Sequence, residues 1–166
     1  FPTVIYAKDV NLDNRLFERA VIDWSNQDGG VIRTNMKGWH SQTDMHEKPV
    51  FKPLVDELFK MMHEVFEEEW LEADIKMGNM WANINPPGGY NRPHIHPNSH
   101  FSGVYYIKAP KNSGKLVFNE PKTGAHMVMP RRKPGKPPSH LWKAVHVDPL
   151  EGRRIMFPSW LWHGVE

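Results

Sequence analysis

The sequence predicts an α+β fold, with helices first and a β-sandwich or barrel after them. Two observations carry this. Apolar residues recur at helical spacing in two stretches before residue 73. After it, short apolar or alternating runs are separated by Pro and Gly, as strands and turns would be. The length of 166 residues fits one domain. We therefore expect a single unit over 1–166, with a strand and supporting helices over 1–72 and a β core over 73–166.

The elements follow in order. Val4, Ile5 and Tyr6 are strand-like. Asn11 or Asp13 can cap a helix carrying Leu16, Phe17, Ala20, Val21 and Trp24. Gly29-Gly30 breaks the chain, and Arg33 to Ser41 has turn chemistry without a period. The clearest helix is 50–72, where Phe51, Leu54, Val55, Leu58, Phe59, Met62, Val65, Phe66 and Trp70 trace one face. Pro53 fits only in its first turn. Glu64, Glu67, Glu68 and Glu69 read as its solvated side. Ile75 to Ile84 alternates as a half-buried strand, and Pro86 to Gly89 is a turn. Phe101–Ile107, Leu116–Phe118, Ala144–Val147 and Arg153–Phe157 are further strands. Pro121 to Pro138 reads as a long Pro-rich basic loop.

Composition narrows the chemistry. The chain has no cysteine, which excludes thiolate metal sites, disulfides and a cysteine nucleophile. No apolar run is long enough to span a membrane. The first residues lack a signal-peptide pattern, so a cytoplasmic setting is expected. The net charge of +2 is too weak to argue for nucleic acid by itself, and a nucleic-acid partner is not expected. Ten histidines invite a search for a nitrogen-rich metal site.

Pro93-His94-Ile95-His96-Pro97 is the sharpest signal. Histidines at i and i+2 of an extended segment point to one side. The flanking prolines bias the backbone toward that geometry. A third histidine, His163, follows the apolar strand near the C-terminus. Together His94, His96 and His163 can form a facial three-ligand site with open positions. His100 reads as a rim residue and His146 as a strand-surface residue. Arg131, Arg132, Lys133 and Lys136 read as a solvated loop, or as one that covers the site and meets an acidic substrate.

Several stretches in order resemble the iron(II)/2-oxoglutarate-dependent oxygenases. They are Phe1-Pro2-Thr3, Thr34-Asn35-Met36-Lys37-Gly38-Trp39-His40-Ser41, Pro93-His94-Ile95-His96-Pro97-Asn98, Ser102-Gly103-Val104-Tyr105-Tyr106 and Phe157-Pro158-Ser159-Trp160-Leu161-Trp162-His163. The resemblance is specifically to small prolyl-hydroxylase-like members found in marine bacteria and their phages. The resemblance implies a double-stranded β-helix, also called a jelly roll, with N-terminal helices packed on one sheet. It implies Fe(II) on His94, His96 and His163, with 2-oxoglutarate and O2 as cosubstrates. Oxidative decarboxylation would then drive hydroxylation of a substrate. It points to Tyr90 and Tyr106 for 2-oxoglutarate. Ser102 shares a strand face with Tyr106, and Asn98 is a hydrogen-bonding candidate near the metal.

Two departures stand out. His96 occupies the position where the family has a carboxylate. The family also places Arg or Lys on a strand after the distal histidine, and the sequence given stops at Glu166. A longer chain is expected, or Lys115, Arg153 or Arg154 substitutes. Two other classes stay open: a cupin-like three-histidine metalloenzyme without 2-oxoglutarate, and a non-enzymatic jelly-roll module. The substrate is not legible, and the oligomeric state, a homodimer included, is open.

Overall fold

The computed structural model describes residues 3–122, 124, 127 and 130–166. Phe1-Pro2 of the first resemblance marker lies outside the described residues, as does part of the 121–138 loop. The chain runs β1 (Tyr6–Asp9), α1 (Asn14–Gln27), β2 (Asn35–Met36), β3 (Trp39–His40), α2 (Lys52–Glu68) and β4 (Asn83–Ile84). It continues β5 (Tyr90–His94), β6 (Phe101–Tyr105), β7 (Leu116–Asn119), β8 (Ala144–Val147), β9 (Arg153–Pro158) and β10 (His163–Val165). The strands pair antiparallel in sheets ordered β1-β9-β6, β2-β5-β10-β7-β8 and β3-β4.

Strand β9 organises the core because both of its faces are covered. Its Ile155 and Phe157 pack with Leu116 and Phe118 of β7 and with Leu161. That cluster joins the two larger sheets. The alternate residue Met156 packs on the other side, against Met61 and Val65 of α2. Neighbouring Arg154 donates to the Glu57 carbonyl at 2.7 Å and meets its carboxylate at 3.2 Å. Helix α1 is capped by Asp13, whose side chain accepts from the Leu16 amide at 3.3 Å. It buries Phe17 and Val21 against Phe51 and Leu54.

Four sequence expectations are revised. The second helix spans 52–68, entered through a 3-10 turn at Pro49–Phe51, with Pro53 in its first turn as expected. Met61, absent from the apolar face read in the sequence, is fully buried, whereas Trp70 is 95% exposed past the helix end. The acidic run is not merely solvated: Glu64 pairs with Lys8 at 2.6 Å, and Glu69 accepts from the Tyr6 hydroxyl. Of the strand expected over 75–84, only Asn83–Ile84 forms. Its preceding residues hydrogen-bond instead to the turn after β3, with Met80 N–H on Thr43 O at 3.1 Å and Ala82 N–H on Ser41 Oγ at 3.0 Å.

Candidate metal centre

His94 ends β5 and His163 begins β10, and the two are direct cross-strand partners. Two residues along β10, Val165 pairs with Asn91, three residues back along β5. Strand β5 thus carries one extra residue, a β-bulge. Its consequence is that Asn91 and His94, which simple alternation would place on opposite faces, both face the side that Val165 and His163 face. Two residues permit this. Pro93 has no N–H to lose from the ladder. Gly164 lets the strands close up, since a Cβ there would stand 2.8 Å from Asn91 O and 3.1 Å from Pro93 N.

The shared side is the space between the sheets. The His163 ring lies 4.6 Å from that of Phe157 and is 4% exposed. His96 follows the end of β5, and its amide donates to Ser159 O at 3.0 Å. Ligand nitrogens of His94, His96 and His163 all lie within 4.8 Å of one another. Among the described residues this is the one cluster of its kind.

The tautomers are set locally. Nδ1–H of His94 donates to Arg92 O at 2.7 Å, and Nδ1–H of His163 donates to Leu161 O at 2.8 Å. Each leaves Nε2 as a lone pair. Burial and the neighbouring imidazoles push His96 and His163 down to about 4, so both are neutral at pH 7. Their Nε2 atoms stand 3.2 Å apart. Ligands about 2.1 Å from one divalent ion would be separated by roughly this amount. Convergent imidazole nitrogens fit a first-row divalent cation, iron(II) and zinc included.

Residues 79–166, more than half of the chain, match a family model described as "Putative 2OG-Fe(II) oxygenase". The chain belongs to this oxygenase family. It is also similar to a Pseudomonas putida prolyl-4-hydroxylase of known crystal structure, with a TM-score of 0.61 and 14% identity. The match covers 98% of this chain and 84% of the hydroxylase, and shows a prolyl-hydroxylase-like fold. No curated protein matches.

The oxygenase chain distributes its other candidate residues unevenly. Ser102 and Tyr106 face the inter-sheet space: Tyr106 and Val104 pack on the Leu116/Phe157 cluster, and Ser102 Oγ meets Ser159 Oγ at 2.7 Å. Burial raises the Tyr106 hydroxyl to about 12. Tyr90 and Asn98 are exposed. Tyr90 alternates with inward Asn91, which is 7% exposed, so its 40%-exposed side chain points away from the three histidines. Asn98 is an exposed turn residue at φ 63°, a left-handed conformation that Asn tolerates.

The substitute cations are committed to carboxylates. Lys115 pairs with Asp148 at 2.8 Å, and Arg153 grips Asp9 at 2.9 and 3.2 Å. Arg154 faces α2, on the wrong side of β9, where it holds Glu57. His100 is exposed beside Phe101, and His146 is a strand-surface residue 3.5 Å from Glu166. The basic loop residues Arg131, Arg132, Lys133 and Lys136 are exposed.

Sequence reasoning missed Trp81 as a neighbour of the site. Its ring lies 5.3 Å from that of His40, nearly parallel to it, and 5.4 Å from that of His96. It missed Ser159 and Asn91 too. No spacing rule marks them, because each reaches the site through a pairing distant in sequence.

Proposed function

We propose that this oxygenase is a hydroxylase that uses Fe(II) and 2-oxoglutarate, built as one double-stranded β-helix unit. The observation that carries this is the convergence of His94, His96 and His163 at one end of the inter-sheet core. These three would hold the metal, through Nε2 in the case of His94 and His163. Iron, 2-oxoglutarate and O2 bound there would supply oxidative decarboxylation coupled to hydroxylation of a C–H bond.

The chain's own groups supply the setting. Phe157 and Phe118 wall the site on one side and limit water behind His163. Ser102 and Tyr106 offer hydroxyls toward the same space. Tyr106 stays protonated across the physiological range, so it donates to a carboxylate rather than repelling it.

One observation favours a second reading. The third donor is an imidazole where the family has a carboxylate, which also suits a cupin-like centre without 2-oxoglutarate. Anaerobic titration with Fe(II) and then 2-oxoglutarate separates the two. We expect a visible metal-to-ligand charge-transfer band that needs both additions and is absent in His163→Ala. Iron binding with no band at saturating 2-oxoglutarate moves the assignment to the cupin-like centre. No iron binding defeats both.

A further inference from the structure

Two of the three histidines are held by a carbonyl on Nδ1, and the third is held differently. His94 has Arg92 O and His163 has Leu161 O. The His96 ring has Nε2 3.2 Å from that of His163, and its ring neighbours are His94 at 4.8 Å, His163 at 5.0 Å and Trp81 at 5.4 Å. Of these Trp81 alone is not itself a candidate ligand.

Trp81 is well placed to fix a neighbour. Its backbone is clamped on both sides to the turn after β3. Ahead of it, Met80 N–H donates to Thr43 O at 3.1 Å and Met80 O accepts from Met45 N at 3.0 Å. Behind it, Ala82 O accepts from Ser41 N at 3.0 Å, and Ala82 N–H donates to Ser41 Oγ at 3.0 Å. Its indole is stacked on His40 at an interplanar angle of 12°. His40 is 6% exposed, and its Nδ1–H donates to Ser41 O at 2.6 Å. The stretch Trp39-His40-Ser41 therefore forms a rigid backing for Trp81, and Trp81 a wall for His96.

We infer that Trp81, backed by His40, is a positioning residue that orients His96 as the third metal ligand. The inference rests on the metal site proposed above. Without the indole, His96 keeps only its contacts with the other two histidines, and its ring is held less firmly as the third ligand. Outer groups that orient ligands typically change metal affinity by about 10–100-fold.

The test uses Co(II) alone as the probe, titrated into the metal-free protein and read by its visible d–d spectrum. Wild type, His163→Ala, Trp81→Ala, Trp81→Phe and His40→Phe are compared, with folding checked by circular dichroism and thermal melts. We expect Trp81→Ala to bind about 10–100-fold more weakly, with an altered spectrum. Trp81→Phe and His40→Phe, which keep a ring in place, should stay within about threefold of wild type and keep its spectrum. If folded Trp81→Ala matches wild type while His163→Ala does not bind, the positioning role is wrong and the metal site stands. If wild type does not bind, or His163→Ala binds equally well, the metal site itself falls and the inference with it. Should Trp81→Ala not fold, weakened binding in Trp81→Leu with rescue by Trp81→Phe supports the role, and equal binding in both overturns it.

Discussion

Ser159 couples the histidine-bearing loop to strand β6. It is 1% exposed, its N–H donates to His100 O at 3.0 Å, and its carbonyl accepts from His96 N at 3.0 Å. Its hydroxyl meets that of Ser102 at 2.7 Å. Either hydroxyl, left alone in this half-dry space, loses its partner. Ser159→Ala should therefore cost about 1–2 kcal/mol of stability. The double variant with Ser102→Ala should cost clearly less than the two singles added, because the second change removes no further bond. Urea unfolding of the four proteins measures this, and strict additivity would show that the two hydroxyls do not interact.

At the scale of elements, α2 stabilises the molecule through its buried stripe and not through its full apolar count. Met61 is fully buried against Met156, while Trp70 is 95% exposed beyond the helix end at φ 55°. Met61→Ala should lose about 2–5 kcal/mol, and Trp70→Ala should stay within about 0.5 kcal/mol of wild type. Chemical denaturation midpoints test the pair, and a large loss at Trp70 would mean its indole is covered in solution. The two positions show why helical periodicity was only partly informative. A period of 3.6 residues identifies a face, and the partner element decides how far along the helix that face is covered.

For the whole molecule, the histidines that build the site make its metal-free state acid-sensitive. His40, His96 and His163 are held below their usual 6.5, mainly by burial, and the last two reach about 4. A depressed folded value means the unfolded chain binds protons first as pH falls. Their contribution is complete above about 6.5 and is lost progressively toward about 4. The exposed carboxylates Asp9 and Asp148, held low by Arg153 and Lys115, act only below their usual 3.8, and Glu64, held low by Lys8, only below its usual 4.5. The unfolding free energy of metal-free protein should thus already fall between pH 6.5 and 4, and a flat profile across that window would contradict neutral burial of these rings. Among the described residues no helix is long and apolar enough to cross a membrane.

The sequence by itself determined most element types and singled out the three histidines that could hold a metal. Helical spacing from Leu16 to Trp24, the short runs at Leu116, Ala144 and Arg153, and the His94-x-His96 pair are local patterns, and local patterns follow from local geometry. The tertiary structure decided everything that depends on register or on a distant partner. The bulge opposite Gly164 turned Asn91 and His94 to one side and Tyr90 to the other. Long-range ion pairs took up Lys115, Arg153 and Arg154. The clamp at Ser41 brought Trp81 beside His96. A one-residue change in pairing reverses a strand's faces while leaving its residues unchanged, which is why those assignments needed the folded chain.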